Sequence, residues 1–70
     1  MENIDFESFA GERVRLTMID GYVFEGIVWF VRFVDEEETE VASINLDTYD
    51  FEFGVEYIKK IEVIEVNLMN

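Results

Sequence analysis

The stretch from Tyr22 to Val34 constrains this chain more than any other. It reads as a single strand, long for a domain of seventy residues. Up to Gly26 it alternates, with Glu25 facing water. Beyond Gly26 both faces are apolar, through Ile27, Val28, Trp29, Phe30, Val31 and Phe33. A glycine inside a strand marks a sharp bend or a bulge, and a long strand bent there can serve two halves of one small barrel. Such a barrel has only one inside, so one face of the second half has to meet a helix, a neighbouring subunit or water.

The flanking residues supply partners for that strand. Val14, Leu16 and Met18 share one face, and Arg13, Arg15 and Thr17 the other, which is the period of a half-buried strand. Asp20-Gly21, the strongest short hairpin signal in the chain, joins the two runs. The pattern predicts strands over about 13–19, 22–34, 40–47, 49–53 and 60–66. In the third, Ala42, Ile44 and Leu46 point inward and Val41, Ser43 and Asn45 outward. In the fourth, Tyr49, Phe51 and Phe53 share a face opposite Asp50 and Glu52. Val55 to Ile58 suits a single tight turn. Ahead of the strands, Asn3 or Asp5 can cap a short helix over about 4–10 that shows Phe6, Phe9 and Ala10 on one side and ends at Gly11. So short a helix needs packing to survive. The expected architecture is all-β with a short N-terminal helix: one domain over 1–70, a five-stranded, strongly bent small barrel.

The run Val14-Arg15-Leu16-Thr17-Met18-Ile19-Asp20-Gly21-Tyr22-Val23-Phe24-Glu25-Gly26-Ile27-Val28 resembles the first motif of Sm-like (LSM-type) proteins, a strand, an Asp-Gly turn and a strand carrying a glycine. Ile44-Asn45-Leu46-Asp47 resembles that motif's closing strand, and Phe53-Gly54-Val55-Glu56-Tyr57-Ile58 lies where the second motif would be. The resemblance spans roughly residues 4 to 66, and extends to short acidic Sm-like barrels of Gram-positive bacteria and their phages. It implies the Sm-like/SH3-like barrel, and assembly by pairing the fourth strand of one subunit with the fifth of the next. Phe51, Phe53 and the last strand occupy those positions. The departures carry equal information. Where Sm-like RNA binders place an Asp about six residues after the strand glycine, this chain has Arg32, with no Asn before the acidic tip. Where they place Arg-Gly, it has Phe53-Gly54.

Charge points the same way. Seventeen acids against five bases give a formal net charge of −12, and such a surface repels phosphates and anionic membranes. It attracts basic surfaces or cations, although solubility alone also explains an acidic small domain. With no Cys and no His, thiolate chemistry, disulfides, and the commonest general base and metal ligand are all missing. Ser8 and Ser43 have no evident base partner, Lys59-Lys60 begins a strand where solvent exposure is ordinary, and no Gly-rich phosphate loop is present. Neither an enzyme nor a cofactor or metal site is expected. The longest apolar run, Ile27 to Val31, is far below the roughly 20 residues of a membrane span, and Met1 begins no basic signal region. The expectation is a cytoplasmic protein.

Two features remain as candidate binding surfaces. Trp29, Phe30, Phe33, Phe51, Phe53, Ile64 and Val66 form a candidate interface, because 11 aromatics (seven Phe, three Tyr, one Trp) exceed the needs of one small core. Asp35, Glu36, Glu37, Glu38 and Glu40 form a candidate acidic docking tip, which lacks the ligand spacing and glycine of a calcium loop. The leading expectation is a non-catalytic module that binds a protein partner or itself. The alternative is an acidic, phage-type inhibitor that mimics nucleic acid on a basic partner. A residual RNA- or nucleotide-binding barrel comes third.

Overall fold

A computed structural model describes residues 4–64. A 3-10 helix over Phe6–Phe9 is followed by β1 (Arg13–Met18), β2 (Val23–Phe33), β3 (Val41–Leu46) and β4 (Glu52–Gly54). A second 3-10 turn (Val55–Tyr57) then leads into β5 (Ile58–Val63). The strands lie antiparallel in one five-stranded sheet of order β4-β3-β2-β1-β5. The first helix is shorter than expected, and Asp5 does not cap it through its side chain; Ser8 Oγ instead donates to the Asp5 carbonyl at 2.7 Å. Gly11, at φ +86°, ends the segment in a left-handed conformation that suits glycine. The described part of β5 begins and ends earlier than expected, and its anticipated continuation to Val66 lies outside the described residues.

β2 is shared between two halves of the sheet. Its residues Val23 to Ile27 pair with β1, whereas Val28 to Phe33 pair with β3. Gly26 sits at that change of partner. A Cβ there would stand 3.0 Å from Asp47 Oδ1, 3.0 Å from Thr48 Oγ1 and 3.1 Å from Leu46 Cβ, so the end of β3 approaches the bare backbone. Asp47 holds the junction by accepting from the Ile27 amide through Oδ1 at 2.9 Å and donating its own amide to the Ile27 carbonyl at 2.9 Å.

The expected barrel is not closed. β4 and β5 stand at opposite ends of the ladder, joined by the three-residue 3-10 turn, so the sheet curls without a ladder between its edges. A β4 of only three residues offers too little backbone for such a ladder.

The core is formed by Val14, Leu16, Met18, Val28, Ile44, Leu46, Phe53 and Ile58, with Phe6 and Phe9 of the first helix packed against it. The alternation read from β1 holds. In β3 it fails at Ser43, expected outward but 1% exposed. Its neighbour Ile44 is also buried, so both faces of β3 are covered there. Ser43 lies between Arg32 of β2 and Gly54 of β4, and its hydroxyl donates to Glu52 Oε1, which satisfies the buried oxygen.

Leu16→Ala is expected to cost about 2–5 kcal/mol, comparable to the whole stability of a domain of this size (about 5 kcal/mol). Gly26→Val is expected to cost about 1–3 kcal/mol through the crowding at Asp47, Thr48 and Leu46. Urea unfolding followed by Trp29 fluorescence measures both; a Gly26→Val protein as stable as the parent would show that the close approach is not required.

Candidate functional site

The two exposed aromatic side chains of β2 are consecutive, and an irregular register accounts for them. Val28 faces Leu46 and Phe30 faces Asn45, so Trp29 is left without an opposite residue. This bulge breaks the in-out alternation and turns both Trp29 (65% exposed) and Phe30 (50% exposed) to solvent, with ring centroids 6.0 Å apart. Phe33, past a second irregularity, is half-buried and lines a groove with Phe6, Val41 and Ile58.

The other candidate aromatics fall elsewhere. Phe24, Tyr49, Phe51 and Phe53 form one cluster, with Phe53 centroids 5.0 Å from both Phe24 and Phe51 and 5.7 Å from Tyr49. Phe51 is half exposed, but Phe53 is only 4% exposed and faces Ile44 in the ladder. Its side chain is core and is corrected out of the candidate interface. The shared face expected for Tyr49, Phe51 and Phe53 is present, although only Phe53 of the three lies within β4. Ile64 is half-buried, and its amide donates to the Arg13 carbonyl at 2.9 Å. Val66 lies outside the described residues. The candidate interface is therefore two separate surfaces, one at the β2 bulge and one at Phe51.

The acidic tip between β2 and β3 has an internal organiser. Asp35 accepts from the Thr39 hydroxyl at 2.8 Å and the Thr39 amide at 3.2 Å, and the hydroxyl bond, then the amide, hold its carboxyl below the usual range. Asp35 thus shapes the loop, and Glu36, Glu37, Glu38 and Glu40 are its exposed acids. Glu38 takes a left-handed φ of 57°, a strained position for a side-chain-bearing residue. Among the described residues no group of three or more carboxylates is arranged to hold a metal ion.

Three of the five cations, Arg15, Arg32 and Lys60, pair with glutamates on the sheet. Arg15 of β1 reaches Glu25 of β2 at 2.7 Å and Glu62 of β5 at 3.8 Å, bridging three neighbouring strands. Arg32 Nε donates to Glu52 Oε1 at 2.8 Å, the same oxygen that accepts from Ser43. Glu52 is held below the ordinary glutamate value first by the Ser43 hydroxyl and then by Arg32. Asp47 is lowered chiefly by the Ile27 amide.

One concavity escaped the reading of the sequence. A cleft of about 280 Å³ lies between the β1–β2 turn and β4, lined by Tyr22, Phe24, Phe51, Phe53 and Tyr57 with Asp20 and Glu52 among its polar residues. The Ile19 amide donates to the Tyr57 carbonyl at 2.9 Å, tying the hairpin end to the second 3-10 turn. Tyr22 and Tyr57 are far apart in sequence, and only the aromatic character of each was visible in advance. No protein-family model matches the chain, and no curated protein or solved structure shows significant similarity to it.

Because the folded value of Glu52 is depressed, its contribution to stability is present above the unfolded value near 4.5 and is lost as pH falls through the lower folded value. Glu52→Gln is therefore expected to lower the melting temperature at pH 7, with the gap from the parent closing progressively below about pH 4.5. Thermal melts of both proteins from pH 7 to pH 3 check this, and a gap independent of pH would refute it.

Proposed function

We propose that this chain is a non-catalytic Sm-like module that binds a protein partner or assembles with itself. The observation that carries the reading is the β2 bulge, which turns Trp29 and Phe30 outward side by side between Val28 in the core and Val31 packed against it. Exposed adjacent aromatics on a small domain favour protein contact, since burying them removes a large apolar area from water. Among the described residues β4 and β5 are the edges of the sheet, and they add support because an edge strand can be extended by another chain. The Sm-like resemblance belongs to this proposal. The sheet order β4-β3-β2-β1-β5, the change of partner along β2 beside Gly26 and the 3-10 link between the edge strands accord with a small bent barrel left open at one seam.

The acidic-inhibitor alternative draws support from the tip. Asp35 fixes the loop that presents Glu36, Glu37, Glu38 and Glu40, and a preformed acidic loop suits a basic nucleic-acid-binding partner. The residual nucleotide-binding reading draws none, because Arg32 is already engaged by Glu52 and Phe53 is in the core.

Salt separates the forms of the proposal. Copies that each carry −12 repel, so self-assembly is expected to strengthen as salt screens the repulsion, whereas a complex with a basic partner is expected to weaken. Sedimentation velocity over a salt series, with and without cell extract, reads both trends. Trp29→Ser combined with Phe30→Ser is expected to abolish the association while leaving the chain folded, at a stability cost of about 1–3 kcal/mol that a urea titration reads separately. A parent that stays monomeric at every salt concentration and retains no partner would overturn the proposal.

A further inference from the structure

The cleft between the β1–β2 turn and β4 has an unusual lining for its size. Five of its side chains are aromatic: Tyr22, Phe24, Phe51, Phe53 and Tyr57. Phe53 and Phe24 form the floor within the aromatic cluster, their centroids 5.0 Å apart. The walls keep their rings accessible, with Tyr22 68%, Phe51 51% and Tyr57 54% exposed. Two walls are fixed by backbone. Tyr57 packs against Gly54, where a Cβ would come 3.2 Å from its ring, and the Ile19–Tyr57 hydrogen bond holds the hairpin end beside it.

The charged residues that line the cleft are both acidic, and Arg32, outside the lining, engages one of them. Its lining includes Asp20 and Glu52 but no lysine or arginine. Glu52 is spent on Arg32 and Ser43. Asp20 engages Oδ1 with the Tyr22 amide at 3.2 Å and takes part in no ion pair among the described residues. Ring faces carry negative quadrupole density that attracts a cation, more strongly where water is partly displaced. The Asp20 carboxylate at the rim, without a cationic partner among the described residues, and a net charge of −12 add to that attraction.

We infer that this aromatic cleft is a subsite for a basic side chain, a lysine or arginine presented by a protein partner. The inference rests on the reading of the chain as a protein-binding module and names the chemistry its partner must supply. The methylene stem lies against Phe24 and Phe53 while the charged head meets the faces of Tyr22, Phe51 and Tyr57, with Asp20 beyond. A second copy of this chain is a poor source, since approach of two −12 surfaces is opposed by their own charge.

The test uses the full chain and two blocked pentapeptides, Gly-Gly-Lys-Gly-Gly and its analogue with neutral norleucine in place of lysine, titrated while aromatic ring resonances are followed by NMR. The lysine peptide is expected to shift the Tyr22, Phe51 and Tyr57 rings saturably, with an affinity about fivefold or more above that of the norleucine peptide. Phe51→Leu, which keeps an apolar side chain but removes a ring, is expected to remove most of that preference. Asp20→Asn keeps the acceptor for the Tyr22 amide and is expected to weaken lysine binding about threefold without affecting norleucine. Equal binding of both peptides would make the cleft a plain apolar groove and overturn the inference. So would ring shifts that track protein concentration without peptide, or the absence of any saturable shift. The Trp29 and Phe30 double variant reads the assembly surface separately. A cleft that fails here while that variant still abolishes association refutes the subsite alone.

Discussion

The fold depends on one junction, where β2 leaves β1 and takes up β3. A strand changing partners must bring the ends of both neighbours close to its own backbone. Here Gly26 provides the space and Asp47 the attachment, through two hydrogen bonds to Ile27. Ile27 alone could not hold β3 in this place, because the pairing changes at the next residue. The chain just before β1 contributes from the other side: the Gly11 amide donates to the Val28 carbonyl and the Val28 amide to the Glu12 carbonyl, at 2.7 and 3.0 Å. Residues from two distant parts of the sequence thus converge on the peptide groups of Ile27 and Val28 in β2. The bulge at Trp29 follows immediately, since the added curvature is absorbed by one unpaired residue.

The same curvature separates a dry interior from two exposed aromatic regions. Eight apolar side chains form the buried core, a small number that leaves little tolerance for cavities. The remaining rings lie at its margins. Trp29 and Phe30 project at the bulge, while Tyr22, Phe51 and Tyr57 surround a cleft floored by core aromatics. The excess of aromatics over what the core needs is therefore divided between two sites with different geometry: an exposed pair and a concavity.

Charge is divided just as unevenly. Arg15, Arg32 and Lys60 engage glutamates on the outer sheet face. Exposed pairs of this kind add little stability individually, but Arg32 and Glu52 also enclose a buried serine. Among the described residues, that pairing leaves the acids of the hairpin tip and Asp20 at the cleft without an ion-pair partner, while Glu52 at the cleft is matched by Arg32. The acidity of both places follows from the excess of seventeen acids over five bases, and it bears on what kind of molecule can approach.

The sequence by itself determined the strand alternation of β1, the turn at Asp20-Gly21, the division of the long second strand near Gly26, the short helix ended by Gly11 and the net charge. Each is a local property: side chains alternate with a period of two, glycine alone tolerates the Gly11 and Gly21 conformations, and charge is additive. The tertiary structure decided the burial of Ser43 and Phe53, the exposure of Trp29 with Phe30, the open seam between β4 and β5, and the meeting of Tyr22 with Tyr57. These depend on which residue stands opposite which across the ladder. A bulge of one residue reverses the face of everything beyond it, and nothing in the apolar run from Ile27 to Phe33 marks where that residue will fall.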